Sequence, residues 1–150
     1  MFSTLLPKLI SLTSEAGETI IALHNDNMSF IVKSDKTPLT QADKISHNLI
    51  TKTLKKITPG IPILSEESKK IPFSIRRNWD AYWLVDPLDG TRDFLDGTSN
   101  FCINIAYVVN NYPIFGMIYA PFDKVHYYRL PEQTSIKLVD DICYKLRTQK

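Results

Sequence analysis

Asp86 and Asp89 stand at the end of an apolar run in Trp83-Leu-Val-Asp86-Pro-Leu-Asp89-Gly-Thr-Arg-Asp-Phe94, and their spacing can bring two carboxylates onto one hard cation. Pro87 stiffens the intervening turn, and the carbonyl of Leu88 would be a further oxygen ligand if it points inward. Gly90 and Thr91 follow at an expected helix start, where bare backbone N–H groups would hold a bound phosphate. Asp-Gly alone is an ordinary turn signal. The longer string differs, because strand, paired acids, glycine and hydroxyl come in the order that metal-assisted phosphate chemistry requires.

Three other acidic positions bear on the same chemistry. Ser65-Glu66-Glu67-Ser68 follows the apolar run 61–64, so Glu66 emerges at a strand end and is the natural completing ligand for Asp86 and Asp89. Asp43 occupies the third helical position after Thr40, where an acid also serves simply to stabilise a helix start. His24, His47 and His126 share no spacing with the acids and read as surface or partly buried residues. Trp79 and Trp83 read as core anchors.

These residues need a scaffold, and the apolar pattern supplies one. Leu5, Leu9, Leu12, Ala16, Ile20 and Leu23 recur at helical spacing and predict a helix over about 3–23, in which Gly17 allows close packing. A short strand begins at Phe30, a turn follows at Asp35, and Thr40 caps a second helix with the stripe Ile45, Leu49, Ile50, Leu54 and Ile57, ended by Pro59-Gly60. Strands are then predicted over 61–64, 81–85, 101–109, 114–119 and 125–130, with a hairpin turn at Asn110-Asn111-Tyr112-Pro113. Residues 69–78 read as a surface loop, and 140–150 as weakly helical. Helices first and strands later imply an α+β fold, two helices layered on a mostly antiparallel sheet.

Composition excludes several alternatives. The chain has 150 residues, 43% hydrophobic and 23% charged, which suits one domain with a real core. A net charge of +2 comes from scattered Lys and Arg and makes no case for a nucleic-acid polymer as partner. Cys102 and Cys143 form no cluster, which fits a reducing compartment and makes the cytoplasm the default. Lys8 interrupts the opening apolar run, so no leader or membrane span is expected.

The motifs taken together resemble the lithium-sensitive, magnesium-dependent inositol monophosphatase superfamily, most closely its 3'(2'),5'-bisphosphate nucleotidase branch. The matching pieces are Glu15-Ala-Gly-Glu-Thr-Ile20, Lys33-Ser-Asp-Lys-Thr-Pro-Leu-Thr-Gln-Ala-Asp43, Pro62-Ile-Leu-Ser-Glu-Glu67, Tyr82 through Phe94, Asn104-Ile-Ala106 and Gly116-Met-Ile-Tyr-Ala-Pro121. Arg92-Asp93 after Gly-Thr points to the nucleotidase branch.

The resemblance implies that Glu66, Asp86, Asp89 and the Leu88 carbonyl hold two Mg²⁺ ions. It places Asp43 near a third metal or its water, and has Thr91, with Glu66 and Asp43, direct the attacking water. It implies a small phosphorylated substrate: adenosine 3',5'-bisphosphate or its sulfated relative, with inositol-1-phosphate as the alternative.

Members of this family are nearly twice as long and carry a Trp-Asp motif in their second half; the Trp79-Asp80 pair here lies ahead of the Asp86 strand, and no Trp-Asp follows it. The expectation is therefore a metal- and phosphate-binding domain over 1–130, an atypical tail over 131–150 and no C-terminal domain. Such a chain is either one half of an enzyme, completed by a separate C-terminal half or by oligomerisation, or an inactive fragment that only binds metal and phosphate.

Overall fold

The computed structural model describes residues 1–25, 30–32 and 38–147. The described elements run α1 (Phe2–Asn25), β1 (Phe30–Val32), β2 (Pro38–Thr40), α2 (Gln41–Ile57), β3 (Ile63–Ser65), α3 (Phe73–Arg76), β4 (Ala81–Asp89), α4 (Thr91–Leu95), β5 (Cys102–Val109), β6 (Tyr112–Ala120), β7 (Val125–Arg129), β8 (Ile136–Val139) and β9 (Ile142–Lys145). Strands β3 to β9 form one seven-stranded sheet in sequence order, parallel only between β3 and β4. This is the expected α+β arrangement. The expected turn at Asp35 and the side chain of His24 lie outside the described residues.

Helices α1 and α2 pack on each other and cover one face of the sheet, α2 against β4 and α1 against β6. The α1 stripe Leu5, Leu9, Leu12, Ala16 and Ile20 is buried, as its spacing predicts. The core beneath it alternates along the strands: Trp83 and Val85, Ile103 and Ile105, Phe115 and Met117. Gly17 lets α1 approach closely, because a Cβ there would lie 2.5 Å from Cε1 of Tyr119.

Five expectations are corrected. The buried stripe of α2 begins with Ala42 and Ser46, not Ile45, which is exposed. Asp43 is buried with them, and the Ser46 hydroxyl donates to the Pro87 carbonyl at the end of β4 at 2.9 Å. Residues 69–78 include the one-turn helix α3, with Arg76 Nε donating to the Ile71 carbonyl at 3.1 Å. The weakly helical reading of 140–150 fails over the described residues 140–147: Asp140 and Asp141 adopt positive φ, form a tight turn and pair β9 with β8. Trp79 is only half-buried, packing on Tyr82 at the sheet's margin, whereas Trp83 is fully enclosed. The β5–β6 hairpin forms as expected, but its turn is just Asn110-Asn111, both at positive φ, and Tyr112-Pro113 already belong to β6.

His126 also departs from expectation, being only 4% exposed in the layer between α1 and the sheet. The Thr13 hydroxyl gives its hydrogen to the Leu9 carbonyl at 2.9 Å, so His126 Nε2–H donates to Thr13 Oγ1 at 2.9 Å, and the ring stacks on Tyr119. Burial pulls its pKa down from 6.5 to about 4. The unfolded chain therefore binds more protons than the folded one between these values, and the stability contributed by the neutral ring is lost as pH falls through that window. The expected loss is about 3 kcal/mol by about pH 4. Urea unfolding of wild type and His126→Gln at pH 7 and 4.5 checks this: an equal acid loss in both would refute it.

The face of the sheet away from the helices is open. Leu84, Ala106, Gly116, Ile118 and Tyr127 line a groove of about 800 Å³ that reaches Glu66, Asp86 and Asn104 at one end. Leu84 and Ile118 are 44% and 46% exposed, a large apolar surface for a sheet centre. Among the described residues no helix is long and apolar enough to cross a membrane.

Candidate functional site

Alternation along β4 should send Asp86 and Asp89 to opposite faces, since they are three residues apart. Pro87 has no N–H to give to the ladder, and the register moves from Asp86↔Asn104 to Asp89↔Cys102, three residues on β4 against two on β5. That one-residue bulge returns Asp89 to the side that Asp86 faces. The parallel register Ser65↔Val85 continues through Glu66 N–H to the Val85 carbonyl at 3.1 Å, setting Glu66 beside Asp86.

The three carboxylates act on one another. The carboxyl of Asp86 is pushed up to about 6, first by burial, then by the charges of Glu66 and Asp89, while the Leu88 N–H opposes the shift. That N–H donates to Asp86 Oδ1 at 3.2 Å and ties the turn. Glu66 and Asp89 are exposed. The three are adjacent without closing into a cage, and among the described residues no three His, Cys, Asp or Glu side chains form one. The donors are all oxygen, and their mutual repulsion is the excess charge that a hard divalent cation neutralises.

The turn after Asp89 depends on glycine. Gly90 has φ +89°, and a Cβ there would lie 2.7 Å from the Asn100 carbonyl oxygen. Thr91 opens α4, and its hydroxyl donates to the Leu88 carbonyl at 3.1 Å. That carbonyl retains a second lone pair.

Asp43 is buried at the start of α2, three residues before Ser46 on the helix side that meets β4. Its burial goes beyond the exposed helix-start role that a simple capping acid would have. His47 Nδ1 pairs with Ser65 Oγ at 2.8 Å, and burial lowers the ring's pKa while Glu67 raises it.

Sequence reading left Ser46, His47 and Asn104 without roles at the site. Asn104 donates from Nδ2 to Asp89 Oδ2 at 3.0 Å. Its only sequence signal was its place in the Asn104-Ile-Ala106 match, since strand pairing alone puts it opposite Asp86.

Residues 3–136 match the profile of the inositol monophosphatase family. The chain is 46% identical over 127 residues to a 3'(2'),5'-bisphosphate nucleotidase CysQ of Buchnera aphidicola, covering 82% of this chain and 47% of that protein. The Escherichia coli K12 protein of the same name is 38% identical over 125 residues, covering 82% and 50%. Among solved structures, CysQ from Bacteroides thetaiotaomicron superposes with a TM-score of 0.73 at 35% identity, over 93% of this chain and 49% of that one. A LiCl-soaked inhibitory complex of Staphylococcal inositol monophosphatase-1 gives 0.80 at 19% identity, a likeness of fold, over 95% and 51%. The chain spans about half the length of the curated relatives it matches.

Proposed function

The chain belongs to the inositol monophosphatase family, and from that premise we propose that it provides the metal- and phosphate-binding half of a Mg²⁺-dependent phosphomonoesterase that removes the 3'-phosphate of adenosine 3',5'-bisphosphate or its sulfated relative. The observation that carries this reading is the β4 bulge, which turns Asp89 to the side of Asp86 next to Glu66. The two bisphosphate nucleotidases at 46% and 38% identity support the substrate class.

In this reading Glu66, Asp86, Asp89 and the Leu88 carbonyl hold two Mg²⁺ ions. Bound there, Mg²⁺ supplies a nucleophile at neutral pH and neutralises charge on the transferring phosphoryl group and leaving oxygen. Glu66 and the Thr91 hydroxyl orient the attacking water, with Asp43 behind them. The N–H groups of Gly90 and Thr91 hold phosphate oxygens. Ser46 and His47 brace the two strand ends from α2 through Pro87 and Ser65. Two free cysteines among the described residues fit a cytoplasmic setting.

The half-length match and the open apolar sheet face favour a companion reading: full activity requires a further polypeptide half over that face. The test is phosphate release from adenosine 3',5'-bisphosphate and from inositol-1-phosphate, with Mg²⁺, with and without Li⁺. It is run on the chain alone and mixed with the separately expressed second half of the Buchnera relative. Lithium-sensitive release, at least about tenfold faster from the nucleotide, is expected in the mixture. The reverse ratio would reassign the substrate to inositol phosphate. No release in any mixture would leave a fragment that only binds metal and phosphate.

A further inference from the structure

We propose that Asn104 is a positioning residue that aims Asp89 at the bound cation, an inference that rests on the metal reading above. Asn104 lies on the open face of β5, directly opposite Asp86 in the ladder, and reaches past the bulge to Asp89. An ionised carboxylate only accepts hydrogen bonds, so the side of the amide facing Asp89 Oδ2 at 3.0 Å is its NH₂. The amide oxygen on the other side lies 3.6 Å from the Cys102 sulfur, whose one hydrogen it shares with Asp89 Oδ2 at 3.9 Å.

Two consequences follow for the carboxylates. Asp89 is exposed and would otherwise sample several rotamers; with Oδ2 engaged by Asn104, the side chain is held and Oδ1 is left for a cation. The amide N–H also sets a partial positive charge against Asp89, one of the two carboxylates whose charges act on Asp86. An aliphatic residue at 104 would supply neither effect, and strand geometry permits one there equally well.

Mn²⁺ titration followed by electron paramagnetic resonance on the full chain tests this. Asn104→Ala is expected to bind Mn²⁺ about tenfold or more weakly than wild type, with the thermal midpoint of the cation-free protein nearly unchanged. Equal Mn²⁺ affinity in both overturns the positioning role and leaves the metal reading standing. A wild-type chain that binds no Mn²⁺ overturns the metal reading and this inference with it. Should Asn104→Ala fail to fold, the wild type still decides: the ¹⁵N side-chain amide resonances of Asn104 are expected to shift with added Mg²⁺ and saturate with the binding curve. Resonances that stay still through saturation overturn the proposal.

Discussion

Asp86→Asn is expected to abolish divalent-cation binding and to cut phosphate release by on the order of 10³-fold or more, while making the cation-free protein more stable above about pH 6. The two effects have one cause. Burial, Glu66 and Asp89 raise the Asp86 carboxyl from 3.8 to about 6, so the folded state holds this proton more tightly than the unfolded chain does. The stability that goes with the protonated form is fully present below about pH 4 and is lost as pH rises through about 6. Above that, the ionised Asp86 is held half-buried and is repelled by Glu66 and Asp89. Asparagine removes that repulsion, and its side-chain oxygen can still accept the Leu88 N–H.

A cation does for the wild type what the substitution does for the variant. Mg²⁺ is therefore expected to raise the wild-type thermal midpoint at pH 8 and to leave Asp86→Asn unmoved. Melting curves at pH 5 and pH 8, with and without Mg²⁺, read both signs at once. A variant that retains its Mg²⁺ response would show that these carboxylates are not the ligands. Asp89→Asn is expected to lose the same response.

Trp83→Ala is expected to cost about 3–5 kcal/mol, a large fraction of the stability of a domain of this size. Trp83 is fully buried where α1, α2 and the sheet meet. Its ring meets Tyr107 edge-on at 4.8 Å, with Phe2 and Phe115 close by, and its Nε1–H donates to Thr58 Oγ1 at 2.9 Å. Truncation opens a cavity that these rings cannot collapse into and leaves the Thr58 hydroxyl without that donor. Trp79→Ala, at the margin of the sheet, is expected to cost about 1 kcal/mol or less. Urea unfolding of both variants makes the comparison, and similar losses would mean that the core is not centred on Trp83.

Much of the scaffold was legible because local rules and tertiary demands agree. The α1 stripe, the start of β4 at Ala81 and the pairing of β5 with β6 read correctly from periodicity or turn chemistry, although β4 runs on past 85 to Asp89 and the hairpin turn is only Asn110-Asn111. The errors fell where a neighbour overrode the pattern. Ile45 fits a helical stripe by spacing, but Ala42, Asp43 and Ser46 are the residues buried at this end of α2, where Ser46 meets the end of β4. His126 gave no signal of burial, since only β7 pairing with β6 slides it under Thr13.

Residue types and order determined the chemistry on offer: oxygen-only ligands, a proline-stiffened turn, and a glycine that alone tolerates φ +89° against the Asn100 carbonyl. Those are properties of individual side chains and short backbone stretches, so they can be read one residue at a time. Which carboxylates meet is a property of register. The parallel pairing of β3 with β4 brings Glu66 to Asp86, the bulge opposite β5 turns Asp89 to the same side, and the ladder sets Asn104 across from Asp86. A shift of one residue in any of these pairings would scatter the group over both faces of the sheet, and nothing within the short strings themselves forbids it.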